Sequence, residues 1–162
     1  MPCLFVAKYK GEKYPFCFDG KDQEMLYIYT IMRIKNQRML LRNELESNYC
    51  PVKGWNDNWK KTNRDWFERV FIVVYPQRDR SFDDWQHTFA IDKQRLSQAK
   101  SRVTRRIEKA TQCAPKEVLE ACGLQKKKVK GNTTAYFIQL APEQIVLPDA
   151  WEELVDQMPI RA

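Results

Sequence analysis

Three observations predict an α+β chain. Short alternating runs of apolar and polar residues occur early, at 3–9 and 14–18, and again late, at 125–130 and 133–140, each pair split by a glycine-bearing turn. Stretches 22–47 and 93–110 contain no Gly or Pro and repeat apolar residues at helical spacing. Between them lies Val-Phe-Ile-Val-Val-Tyr, residues 70–75, apolar on both faces of a strand and expected to form the buried centre of a small sheet.

At 162 residues the chain is long enough to bury a core as one compact domain, 1–162. A subdivision is also readable: an α+β half at 1–76, a basic helical half at 77–141 and an acidic C-terminal clasp at 142–162. An aromatic content of 12%, including five tryptophans, argues against disorder, which is poor in such residues. No apolar run approaches the ~18 residues a spanning helix needs. No basic-then-apolar leader opens the chain, so a cytoplasmic protein is expected. The five cysteines include no CxxC pair and there is a single histidine, which points to reduced thiols rather than structural zinc.

The elements follow in order. Residues 3–9 and 14–18 should pair as a hairpin around Gly11, apolar and aromatic side chains on one face and lysines on the other. Asp19 or Asp22 could cap one long helix through residue 47, with Met25, Ile28, Met32, Met39, Leu40 and Leu41 as its apolar stripe and Arg33, Arg38 and Arg42 off it. Residues 25–34, rich in Tyr, Ile and Thr, also suit a strand, with a helix beginning near Asn36; the long helix is favoured. Residues 48–63 read as a loop, from Cys50-Pro51, Gly54 and Asn56-Asp57-Asn58, leading through a helical turn at 64–69 into the central strand, which Pro76 stops. Ser81-Phe82-Asp83-Asp84 has the form of a capping box and opens a helix through Trp85 and Phe89. Asp92 then caps a helix whose Leu96, Ala99, Val103, Ile107 and Ala110 make one buried face. Residues 111–114 break it, Pro115 begins a short helix with Val118, Leu119 and Cys122 inward, and Gly123 fits its left-handed end. Lys130-Gly131-Asn132 turns a basic strand into an aromatic one. The tail closes with a short amphipathic helix, 149–158, whose Trp151, Leu154, Val155 and Met158 point inward.

Charge singles out one segment. Residues 93–130 hold 12 Lys/Arg against 3 Asp/Glu, a net +9 in a chain of +7, so the rest of the chain is slightly acidic. Its helix, helix, hairpin order is winged-helix-like. Val118 to Leu124, followed by the lysines, Gly131 and an aromatic strand, resembles the winged-helix ends of some replication and mobile-element proteins. That resemblance covers about thirty residues, a pattern too general to assign a role to any of them. In such an arrangement the short helix would enter the major groove and the hairpin would grip the flanking backbone. Here the short helix exposes Lys116, Glu117 and Glu120 and has no Asn or Arg to read base edges. The expected nucleic-acid-binding residues are therefore backbone-gripping ones: Arg95, Arg102, Arg105, Arg106, Lys109, Lys116, Lys126, Lys127, Lys128 and Lys130. A solvated hairpin that keeps an edge strand from aggregating is the plainer reading of the lysine run.

Two other groups of residues are chemically suggestive. Trp55 and Trp59, with Trp66, are interleaved with Lys53, Lys60, Lys61 and Arg64, as in a platform that stacks single-stranded bases; equally, they could pin a loop to the core. Asp79, Asp83, Asp84 and His87 could converge on a divalent metal, although Asp83 and Asp84 also suit a helix's first turn. No catalytic triad or phosphate-cradling glycine loop occurs. The leading expectation is a non-enzymatic nucleic-acid-binding protein, regulatory, replicative or a mobile-element accessory, preferring DNA to RNA. It needs no metal or cofactor. The alternative is a phage-type inhibitor or adaptor whose basic face docks on an acidic protein, and the third a metal-dependent nuclease.

Overall fold

A computed structural model describes residues 3–17, 24–46, 57–74, 81–90, 93–110, 114–129 and 133–159. The expected α+β class and N-terminal hairpin are present. Strand β1 (Cys3–Tyr9) pairs antiparallel with β2 (Glu12–Cys17) through a two-residue turn. Lys10 and Gly11 sit at φ 49° and 81°, the left-handed pair that a type I′ turn requires. Phe5 and Phe16, opposite each other in the register, stack at 4.7 Å on the buried face.

Helix α1 (Glu24–Lys35) lies at the centre of the molecule, with residues 24–33 all buried. A helix apolar all round belongs inside, and this one has no solvent face for Arg33, expected off the stripe. Its two phenols anchor it: Tyr27 donates to the Cys122 carbonyl and Tyr29 to that of Phe67, each at 2.7 Å. Burial holds both hydroxyls well above their ordinary pKa.

The expected single helix over 22–47 is corrected. The chain leaves α1 by a Schellman motif, with Arg38 N–H on the Arg33 carbonyl at 2.9 Å and Gln37 N–H on that of Ile34 at 2.8 Å. Gln37 occupies the left-handed position, φ 59°, that glycine usually fills. A two-residue strand β3 (Leu40–Leu41) and a short helix α2 (Arg42–Glu46) follow.

The central buried strand is also corrected. Residues 70–74 end an 18-residue helix, α3 (Asp57–Val74). Asn63, Trp66, Phe67, Val70, Phe71 and Val74 are buried, a helical spacing that steps 4–3–4 through 63, 67, 70 and 74, whereas Ile72 and Val73 face solvent. β-branched residues satisfied the strand reading because propensity yields to the tertiary environment. The 48–56 part of the predicted loop, Tyr75, Pro76 and Asp79 lie outside the described residues.

Ser81 caps α4 (Phe82–Trp85), its hydroxyl accepting from the Asp84 amide, and a π-helical turn, Gln86–Ala90, continues it. Helix α5 (Lys93–Ala110) buries Leu96, Ala99 and Val103 as expected; its cap at Asp92 and the side chains of Ile107 and Ala110 are outside the described residues. Pro115 caps α6 (Lys116–Cys122) rather than entering it, and Gly123 is extended, φ −65°, rather than left-handed. Strands β4 (Gln125–Val129) and β5 (Thr133–Phe137) form the late hairpin; its turn and the 111–113 break are not among the described residues.

The described strands make two small sheets, ordered β2-β1-β6 and β3-β5-β4. Short β6 (Ile145–Val146) follows a 3-10 turn, Pro142–Gln144. Because β3 joins the late hairpin and α1 packs on α5, the winged-helix-like block draws on α1, β3, α5, α6, β4 and β5, with α2–α4 inserted.

Helix α7 (Asp149–Asp156) is docked, with Trp151, Leu154, Val155 and Met158 buried as expected. Its end carbonyls, orphans of any helix C-terminus, are taken by the core: Leu154 O by the Trp66 indole N–H at 2.8 Å and Val155 O by the Asn36 amide at 3.1 Å. Lys35 Nζ reaches the carbonyls of Pro142 at 3.3 Å and Ile145 at 2.8 Å and lies 3.4 Å from Glu152, fastening the tail. Among the described residues no helix is long and apolar enough to cross a membrane.

Candidate anion-binding cleft at the lysine hairpin

The late hairpin presents its lysines by strand alternation. Lys126 pairs with Tyr136 and Lys128 with Thr134, so these four share one face, while Lys127, opposite Ala135, lies on the other. All three lysines are exposed. Lys128 Nζ donates to Thr134 Oγ1 at 3.3 Å, and Lys127 Nζ sits 5.2 Å from the Phe137 ring centre.

A cleft of about 340 Å³ opens between this hairpin, α2 and α5. Arg42 contributes from α2, Ser97 from α5, Lys126, Lys127 and Lys128 from β4, and Thr134 and Tyr136 from β5. Among the described residues the lining thus combines the cationic side chains of Arg42, Lys126 and Lys128 with three hydroxyls, Lys127 bordering it from the strand's other face, and includes no carboxylate and no imidazole. It offers positive charge and hydrogen-bond donors to an oxyanion.

Arg42 is placed by backbone pairing and by a buried ion pair. Leu40 and Leu41 pair with Tyr136 and Ala135, which carries the start of α2 to the edge of the cleft. Two residues along the same helix, Glu44 accepts the Leu41 amide at 3.2 Å and lies 3.4 Å from Arg33. Arg33 in turn donates to Asn63 Oδ1 at 2.8 Å, its guanidinium 5.0 and 5.1 Å from the Trp66 and Phe67 rings. Burial is the largest influence on both partners. It lowers the Arg33 pKa against the attraction of Glu44, and raises that of Glu44 against the attraction of Arg33 and the Leu41 amide. Desolvation therefore outweighs pairing here, as is common for buried ion pairs.

The sequence-predicted residues are only partly brought together. Lys126, Lys127 and Lys128 line the cleft. Arg95, Arg102 and Arg105 are exposed on α5, which turns Ser97 and not these arginines into it. Lys116 is exposed on α6, 3.9 Å from Glu120, while Glu117 lies 3.5 Å from Lys10. The side chains of Arg106 and Lys109, and the whole of Lys130 and Trp55, lie outside the described residues. Trp59 is half-buried on α3; Trp66, grouped with it by spacing, is 1% exposed and a core residue, which removes it from any stacking platform.

The sequence does not single out Arg42, Ser97, Thr134 and Tyr136. The Leu-Leu pair before Arg42 is the one available signal, and its fit to a helical stripe conceals it. The described members of the acidic group do not converge: Asp83 is engaged by Arg64, and His87 Nδ1 lies 3.2 Å from the Asp83 carbonyl. Among the described residues no three His, Cys, Asp or Glu side chains could hold a metal together. No family model matches the chain, and neither a curated protein nor a solved structure is significantly similar to it.

Proposed function

We propose that this is a non-enzymatic nucleic-acid-binding protein, suited to regulatory, replication or mobile-element accessory work, that holds the phosphate backbone of DNA at the lysine hairpin. The observation that carries the reading is the cleft itself, where Arg42 joins Lys126 and Lys128 among three hydroxyls, with no carboxylate among the described residues. Cations so grouped neutralise phosphates and release condensed counterions, and hydroxyls add hydrogen bonds to phosphate oxygens. The winged-helix-like order of the surrounding elements supports the same reading. Both acids of α6 lie near lysines, so that helix adds little net charge, and the grip belongs to the backbone rather than to base edges.

Fluorescence anisotropy with a labelled duplex at low salt tests this. Wild type should bind, and Lys126→Glu with Lys128→Glu should weaken binding at least tenfold while the far-ultraviolet spectrum is unchanged. Absence of binding at low salt, or equal affinity of the variant, would remove the proposal. Association instead with an acidic protein, unaffected by competing DNA, would favour the adaptor.

A further inference from the structure

The two basic surfaces of α5 face different ways. At about 100° per residue, Lys100, Thr104 and Ser97 fall roughly 40 to 100° to one side of Leu96, while Arg95 and Arg102 fall roughly 100 to 120° to the other and Arg105 lies opposite Leu96. Burial agrees with this wheel. Lys100 and Thr104, on the side of the cleft, are half-buried, whereas Arg95, Arg102 and Arg105 are exposed. The body of α5, about 10 Å across with its side chains, therefore stands between the hairpin lysines and Arg95 and Arg102, with Arg105 on the rim between the two sides. A straight duplex lying along the lysines is turned away from Arg102.

The exposed arc around these arginines consists of Gln94, Gln98 and Ser101 with Arg95, Arg102 and Arg105. Among the described side chains of α5 it holds hydrogen-bonding and cationic groups, with no carboxylate and no apolar residue. A protein-docking surface has an apolar or aromatic centre; a phosphate-contacting one has this composition.

We propose that the Arg102–Arg105 flank is a second nucleic-acid contact surface, so that one chain holds two backbone segments at once, one in the cleft and one across α5. The inference rests on the reading of the cleft as a nucleic-acid site. Such a protein would bridge two duplexes, or two arms of one bent duplex, rather than cover a single stretch.

Saturating stoichiometry tests it, measured by sedimentation with a short duplex of about one helical turn in excess. Wild type should take two duplexes per chain. Arg102→Glu with Arg105→Glu should take one and keep its cleft affinity; Lys126→Glu with Lys128→Glu should also take one; the fourfold variant should take none. One duplex per chain for wild type, unaffected by the arginine pair and abolished with the lysine pair, would overturn the second surface while leaving the cleft standing. No binding by any form would overturn both.

Discussion

Replacing Trp66 with Phe separates a structural from a recognition role for the tryptophans. The indole N–H supplies the Leu154 carbonyl at the end of α7 with a hydrogen bond of 2.8 Å, and the ring lies 5.3 Å from Phe67 and 6.4 Å from Tyr29. Phenylalanine keeps an aromatic ring and removes the donor. Stranding a buried carbonyl costs about 1–3 kcal/mol. The missing ring volume, roughly 40 Å³ at about 24 cal/mol per Å³, adds about 1 kcal/mol. A total near 3 kcal/mol corresponds to a fall in Tm of roughly 6–12 °C for a chain of this size. Urea unfolding followed by circular dichroism would measure it, and hydrogen exchange should show the amides of α7 opening first. Single-stranded DNA affinity below the transition should not change, because the ring faces the core. A stability loss under about 1 kcal/mol, or unchanged stability with weakened single-strand binding, would refute the reasoning.

Two further outcomes are expected. Gly11→Ala should lower stability by about 1 kcal/mol: a Cβ there meets nothing within 4 Å, so the cost at φ 81° is backbone strain alone, and an unchanged urea midpoint would contradict it. Glu44→Gln should change how stability depends on pH. Burial raises the Glu44 pKa, so its contribution is complete below the ordinary value of 4.5 and is lost as pH climbs through the raised value, with Arg33 and Arg38 opposing the shift. Urea midpoints across that range should fall less steeply for the glutamine variant than for wild type, and parallel profiles would contradict the assignment.

What was legible in the sequence was local. The Lys10-Gly11 turn, the Ser81 cap, Leu96, Ala99 and Val103 on the apolar face of α5 and the inward residues of α7 each rest on interactions within a few residues, and each lies where expected. The failures depend on distant surroundings. Residues 70–74 look like a strand until their spacing is extended back to Asn63, because Val and Ile report burial more than backbone conformation. Gln37 ends α1 in a position normally announced by glycine, so the break before β3 left no mark. That unmarked break also hid the cleft. Only when Leu40 and Leu41 pair with β5 does Arg42 arrive beside lysines some 85 residues downstream. The lysine run was conspicuous by charge, whereas the helical wheel of α5, already present in the sequence, needed Ser97 on the cleft wall to show which way the arginines point.

The most direct test of the central claim is the salt dependence of duplex binding. The logarithm of affinity should fall linearly with the logarithm of salt concentration. Changing Lys126 and Lys128 together to Gln should reduce that slope by about 1.8, which is about 0.9 for each phosphate no longer neutralised. An identical slope in the variant, or affinity indifferent to salt in the wild type, would contradict a backbone grip at the hairpin.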